Sequence, residues 1–197
     1  MVERVGLFVI IVLGESVIAL VTSADHVWTA QAAVVAALGF VLLAALWWSY
    51  FDFAATSAEL VLGSAEGNRA YLLARDVGGF LHFFVAAVIC MAAGLATAVE
   101  EAGHGHLPRR AVWALAGGLA LYHLAHAAIA LRFGRPLRCV ATWALPGVVV
   151  PLLVVLGTGH LTPWQVVLLL AAEAIGRLLY AKAIARRRSR EARSRNP

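Results

Sequence analysis

Six long apolar stretches constrain this chain more than any other feature of its sequence. An α-helix needs about 20 mostly apolar residues to cross the hydrocarbon core of a bilayer, and each stretch approaches that length. Polar or Gly/Pro-marked turns separate the stretches, as expected for connections between helices. We therefore predict an all-α integral membrane bundle of about six transmembrane helices, with spans near residues 5–24, 30–53, 77–99, 110–131, 139–157 and 163–185.

The composition supports a membrane protein with a single helical domain over residues 1–185. Of the 197 residues, 62% are hydrophobic and only 14% are charged, and the mean hydropathy is +0.83. A soluble domain is typically about half apolar and a quarter charged. Cys90 and Cys139 lie far apart without CxxC spacing, so we predict neither a disulfide nor a zinc site.

The distribution of basic residues predicts the orientation of the helices. Residues 186–197 contain six of the 16 Lys and Arg residues. Cytoplasmic loops of membrane proteins carry an excess of Lys and Arg, so we expect both termini to be cytoplasmic in a multi-pass protein of the cell membrane. We expect residues 186–197 to form a disordered basic tail that contacts anionic lipid rather than nucleic acid.

Five ionisable residues lie near the middle of the predicted spans, where a charge costs about 2.5–3.5 kcal/mol on insertion scales. Two pairs are spaced three or four residues apart, so each pair shares one helix face. Because charges rarely face lipid, we predict that the five meet in one layer near the bilayer midplane and form an ion or polar-substrate site. The five residues are Glu15, His123, His126, Glu173 and Arg177.

Four further residues are candidates to support this site. They are Arg4, Asp52, Asp76 and His82. For any one residue of the layer, a hydrogen-bond network that fixes helix packing is the simpler interpretation. For Asp52 and Asp76, at helix ends, a solvated or interfacial role is simpler still. Pro146 and Pro151, with Gly147, predict a kink in the fifth span, because each proline removes a helical hydrogen bond.

The stretch "VERVGLFVIIVLGESV" resembles the signature of the bacterial low temperature requirement A family, E-R-x-G-L-F-x-I-I-x-L-G-E. The matching residues are Glu3, Arg4, Gly6, Leu7, Phe8, Ile10, Ile11, Leu13, Gly14 and Glu15. The segments "WWSYFD" and "RAYLLARDVGGFLHFFVAA" also resemble the family. The resemblance implies a multi-spanning membrane protein linked to growth at low temperature, without an established reaction. Family members usually carry an additional N-terminal half of further spans, so this chain resembles their C-terminal half.

Three functions remain open from the sequence. The first is a transporter or an ion- or proton-linked permease with a polar site at the midplane. The second is a non-catalytic subunit of a membrane assembly, either a homo-oligomer or a complex with a partner that supplies the N-terminal half. The third, less favoured, is a b-type haem protein in which His82 and either His123 or His126 are axial ligands. We do not expect an enzyme, a metal site or a resident cofactor, because no Ser/His/Asp arrangement, metal motif or phosphate loop is present.

Overall fold

The computed structural model describes the backbone of residues 2–194 and the side chains of residues 6–52, 56–157 and 159–186. The predicted all-α class is confirmed, since residues 2–194 contain helices and turns but no strand. We number six helices in chain order. They are α1 Val2–Val27, α2 Ala30–Gly63, α3 Gly67–Glu100, α4 Arg109–Arg132, α5 Leu137–Leu156 and α6 Pro163–Ser194.

Five of these helices, α1 to α5, are long and apolar enough to cross a membrane, counting only the described residues. Helix α6 is not among them. Its first 20 residues include Glu173, Arg177 and Lys182, which lower its hydropathy. A multi-pass protein therefore agrees with the structure, whereas the sixth span and the cytoplasmic location of the termini stay predictions.

Helix α6 continues beyond the predicted boundary at residue 185 and ends at Ser194. The helical backbone over residues 186–194 differs from the disordered tail that we expected there. Arginine is a good helix former, and positive charge near a helix C-terminus interacts favourably with the helix dipole. Side chains from residue 187 onward, and all of residues 195–197, lie outside the described part of the chain, so the contact with anionic lipid stays a prediction.

Local capping explains where two of the helices begin. The Oγ1 atom of Thr29 accepts a hydrogen bond from the Ala32 backbone N–H at 3.1 Å, which caps α2. The Thr162 backbone N–H donates to Gln165 Oε1 at 2.9 Å, and Pro163 occupies the first position of α6. Both arrangements satisfy backbone or side-chain groups that a helix start leaves unpaired.

Helix α3 occupies the centre of one side of the bundle, against α1, α2 and α4. Glycines allow α3 and α4 to approach closely, as small residues commonly do between membrane helices. A Cβ atom at Gly94 would lie 2.6 Å from Leu115 Cγ, and one at Gly118 would lie 2.8 Å from the Ala87 carbonyl oxygen. Helix α5 packs on α4, and α6 packs on both α2 and α5. Helix α1 lies at the edge, against α2 and α3.

Helices α2 and α4 each contain a π-helical turn, at Tyr50–Ala55 and Trp113–Gly117. Such turns shift the backbone hydrogen-bond register by one residue and occur frequently at functional sites. Where the first turn begins, the Tyr50 N–H is shared between the Leu46 and Trp47 carbonyls. The Tyr122 hydroxyl donates to the same Leu46 carbonyl at 2.9 Å, which links α4 to α2.

Candidate functional site

Three of the five predicted site residues form one buried ionisable cluster. It consists of His123 from α4 and of Glu173 and Arg177 from α6. His123 Nε2 lies 3.4 Å from Glu173 Oε2, and Arg177 Nε lies 3.2 Å from Glu173 Oε1. The exposed fractions of the side chains are 6% for His123, 5% for Glu173 and 19% for Arg177. These groups therefore interact inside the bundle, away from lipid.

Helix α5 supplies a backbone acceptor to this cluster. Arg177 Nη1 donates a hydrogen bond to the Trp143 carbonyl. The acceptor lies in the turn before Pro146, which has no N–H to donate to the Thr142 carbonyl. The guanidinium group thus connects α6 to the proline-containing part of α5.

Gly147 has no side chain, and the cluster occupies the space that a side chain would fill. A Cβ atom at this position would lie 2.7 Å from Arg177 Cζ and 2.8 Å from His123 Cδ2, closer than real contacts allow. From the sequence we predicted Gly147 only as part of a kink. The adjacent Pro146 was the available signal that this segment is unusual, but nothing in the sequence indicated which side chains approach it.

The hydrogen bonding of the cluster is incomplete. Glu173 Oε1 and Arg177 Nε are both buried, and neither has a hydrogen-bond partner, although they lie within ion-pair distance of each other. Among the described residues, the only other buried side-chain atom in this condition is Thr162 Oγ1. Buried polar atoms are normally paired, because an unpaired one retains the full cost of losing its water. Glu173 Oε1 and Arg177 Nε therefore attract each other as an ion pair but do not form an aligned hydrogen bond.

The charge of the cluster is balanced. One carboxylate and one guanidinium sum to zero when the imidazole is uncharged. Removing one member of a buried ion pair leaves the other charge uncompensated, which is strongly unfavourable in a medium of low dielectric constant. Proton or ion binding at Glu173 would thus change the balance around Arg177.

His126 lies beside the cluster but is not bonded to it. Its Nδ1 is 2.9 Å from the Tyr122 carbonyl oxygen in the preceding turn. Its ring centroid lies 4.3 Å from that of Tyr122, 5.7 Å from that of Phe84 and 6.4 Å from that of Tyr50. We call these four residues the aromatic cluster. His126 therefore packs among aromatic rings next to the ionisable cluster. It is not bonded to the other predicted site residues, whereas we had predicted that all five share one layer.

The structure does not bring Glu15 to this cluster. Glu15 is exposed, and the buried face of α1 carries Leu13, Ser16 and Leu20 instead. The face that Glu15 occupies on α1 therefore separates it from the predicted layer.

Asp52 and Asp76 form ion pairs near the predicted inner ends of the helices. Asp52 Oδ2 lies 3.1 Å from Lys182 Nζ, which also lies 4.6 Å from the centre of the Trp48 ring. This pair links α2 to α6. Asp76 accepts a hydrogen bond from Arg132, which links α3 to α4. Neither aspartate contacts the buried ionisable cluster through any described hydrogen bond or ion pair.

The two remaining supporting candidates contribute little to the described site. The side chain of Arg4 lies outside the described residues. His82 is exposed, and its Nδ1 is 3.0 Å from the Gly78 carbonyl oxygen of its own helix. His123 faces Glu173 in the interior, so this placement does not support a pair of haem ligands that includes His82. Within the described residues, no group of three or more His, Cys, Asp or Glu side chains could hold a metal ion.

Apolar helices packed around a buried ionisable cluster define a multi-pass α-helical membrane protein. The family model described as Bacterial low temperature requirement A protein (LtrA) matches residues 1–181, and the chain belongs to this family. This match confirms the resemblance that the sequence motifs indicated. No curated protein and no solved structure shows a significant match to the chain.

Proposed function

We propose that the protein is an ion- or proton-linked transporter of the cell membrane and that the buried ionisable cluster is its polar site. The observation that carries this proposal is the buried pair of Glu173 and Arg177, whose Oε1 and Nε atoms lie 3.2 Å apart without forming an aligned hydrogen bond. An ion pair that served only packing would be expected to satisfy its remaining donors and acceptors. Intramembrane ionisable groups of this kind commonly mark ion pathways and proton relays.

The helix that contacts the cluster also favours a transport role. The guanidinium of Arg177 is bonded to the backbone of α5 at Trp143, next to Pro146 and Gly147. In transporters, irregular helices often contribute backbone groups to the site near the bilayer midplane. A change in the charge of the cluster would alter this contact between α5 and α6 and so couple ion binding to helix movement.

Proton flux through the purified protein tests the proposal. The protein is reconstituted into liposomes that contain a pH-sensitive dye, and internal pH is followed after an external pH jump. We expect Glu173→Gln to reduce the initial rate to that of protein-free liposomes, because the amide cannot exchange a proton at this position. Glu15→Gln is the matched control and should retain the wild-type rate. A wild-type rate in Glu173→Gln, with both variants folded by circular dichroism, would contradict the proposal.

The exposed carboxyl group of Glu15 favours a second candidate function, a subunit of a larger membrane assembly. Lipid tails offer no hydrogen bond to a carboxyl group at this depth, and no described residue forms an ion pair with Glu15. We propose that a transmembrane helix of a partner chain, with a basic or hydrogen-bond-donating side chain at the same depth, packs on this face of α1. Its charge would complement that of Glu15.

The mass of the protein in polymer-bounded native membrane discs distinguishes this candidate from a solitary transporter. We expect the protein released from the disc in a mass spectrometer to exceed the 20.9 kDa of the chain alone for the wild type, and to equal it for Glu15→Leu. A wild-type protein of 20.9 kDa that moves protons at the full rate would contradict the assembly. An identical heavier complex from the Glu15→Leu variant would show that Glu15 does not hold the partner.

A further inference from the structure

The buried ionisable cluster contains only one negative group among the described residues. The side chains that face Glu173 are His123 from α4 and Arg177 from its own helix. Helix α5 contributes the Trp143 carbonyl and ring, and α2 contributes Tyr50 through the aromatic cluster. No second carboxylate forms an ion pair or hydrogen bond with Arg177. Neutralising Glu173 would therefore leave Arg177 as a buried cation without a counterion.

Arg177 has donors available for such a counterion. A guanidinium group carries five N–H donors in a planar fork, a geometry that suits oxyanions. The described bonds use Nη1 for the Trp143 carbonyl, while the buried Nε has no hydrogen-bond partner. Glu173 Oε2 faces His123, and Oε1 lies 3.2 Å from Arg177 Nε without forming an aligned hydrogen bond. Loss of the negative charge on Glu173 would therefore leave Arg177 Nε available to another acceptor.

We propose that this site binds one monovalent anion together with one proton, the proton on Glu173 and the anion on Arg177. This inference rests on the proposed transport function and names its substrate class. When Glu173 takes up a proton from water, its negative charge is lost and the anion replaces it as the counterion of Arg177. The site holds zero net charge with and without its two ligands. Because burial makes an uncompensated charge costly, proton and anion enter and leave as a pair.

Charge balance also predicts the selectivity of the site. A single guanidinium matches one negative charge, so a monovalent anion fits whereas a divalent anion would leave the interior with excess negative charge. The position must also be small, because a Cβ atom added at Gly147 would already collide with Arg177 and His123. Nitrate and chloride are therefore suitable probes, sulfate tests the charge rule, and gluconate tests the size rule.

Anion-driven acidification of liposomes tests the proposal with the intact protein. Liposomes that contain a pH-sensitive dye receive an inward gradient of nitrate, chloride, sulfate or gluconate at equal external pH. We expect nitrate or chloride to acidify the interior at a saturable rate. With sulfate or gluconate, the acidification rate should equal that of protein-free liposomes. Clamping the membrane potential with potassium and valinomycin should leave the rate unchanged, because the paired movement transfers no net charge.

The variants separate the two roles. Glu173→Gln should lose both acidification and saturable nitrate entry, measured with an anion-sensitive dye, because release of the anion would leave Arg177 uncompensated, but nitrate should still raise its Tm. Arg177→Gln should lose nitrate entry. In detergent, nitrate should raise the Tm of the wild type more at low pH than at high pH and should not raise that of Arg177→Gln, a binding readout that does not need transport.

Two different failures can be distinguished. Proton flux that is equal in nitrate, chloride, sulfate and gluconate and responds to the potential clamp would overturn the anion inference and leave a proton-linked transporter. An absence of proton flux under every gradient, from wild-type protein shown to be folded, would overturn the transport function and the anion inference together.

Discussion

Glu15 and Glu173 each lie within a long apolar stretch, yet the folded chain treats them in opposite ways. Glu173 is 5% exposed and lies between His123 and Arg177. Glu15 is exposed on α1, at the edge of the bundle, and has no described ion-pair partner. The comparison shows that a carboxyl group at membrane depth has two solutions. One is a partner from the same chain, as for Glu173, and the other is a position on the outer surface of the bundle, as for Glu15.

The largest expected difference between the two residues is in stability. Glu173→Leu should lower the free energy of unfolding by about 3–5 kcal/mol, because it leaves the buried Arg177 without its counterion. Reversible unfolding in mixed micelles measures this change.

A double variant checks that the loss comes from the uncompensated charge. Glu173→Leu with Arg177→Leu should recover most of the stability, because apolar residues can replace a buried ion pair at little cost. If the double variant is no more stable than Glu173→Leu alone, a role of Glu173 other than pairing with Arg177 must dominate.

Gly147→Ala should have the next largest effect, about 1–3 kcal/mol of destabilisation, because the added methyl group overpacks the site. The new Cβ would meet the guanidinium of Arg177 and the ring of His123. The same unfolding measurement applies, and proton flux should fall as well. Gly14→Ala is the matched control on the Glu15 side, since no atom lies within 4 Å of its added Cβ. Equal effects at the two glycines would remove the distinction between a packed site and an open face.

Tyr122→Phe should destabilise the protein by about 1 kcal/mol, because it removes the hydrogen bond from the Tyr122 hydroxyl to the Leu46 carbonyl. The Tyr50 N–H still donates to that carbonyl, so the acceptor retains one partner. Unfolding measurements in mixed micelles give the size of the effect. A loss of stability as large as that of Glu173→Leu would mean that this hydrogen bond between α2 and α4 stabilises the protein as much as the ionisable cluster does.

Glu15→Leu should have the smallest effect on the isolated chain, within about 0.5 kcal/mol, because exposed positions outside packed or paired sites change stability little. Insertion of an α1 segment into microsomal membranes, scored by glycosylation, should become more favourable by about 3 kcal/mol as the charge is removed. A destabilisation comparable to that of Glu173→Leu would indicate that Glu15 has an intramolecular partner after all.

Local features of the sequence were sufficient for the helices and for part of the site. Apolar length predicts the membrane helices, because a backbone in lipid must satisfy its hydrogen bonds internally. The spacing of Glu173 and Arg177 predicts their shared face, since residues four apart are neighbours on a helix. The cost of exposing an ionisable group to lipid predicted that His123 lies in the interior. These inferences need no knowledge of how the helices are arranged.

The same cost argument was wrong for the placement of Glu15 beside the buried cluster. It predicts that a carboxyl group avoids lipid, but it does not say whether the same chain or another molecule provides the shelter. The π-helical turns at Tyr50–Ala55 and Trp113–Gly117 also left no recognisable pattern in the sequence. The Leu46 carbonyl, just before the first of these turns, accepts a hydrogen bond from Tyr122, a contact between residues 76 positions apart that no local pattern predicts.

The sequence by itself determined that this chain forms apolar membrane helices, that it carries the motif of its family and that Glu173 and Arg177 pair on one helix. Those properties follow from local chemistry, namely hydropathy, helix periodicity and short-range spacing. Only the tertiary structure decided that His123 completes the cluster, that Gly147 and the Trp143 carbonyl enclose it, and that Glu15 lies outside it. The physical reason is that packing between helices selects which faces meet, and that selection depends on close contacts such as those at Gly94 and Gly118.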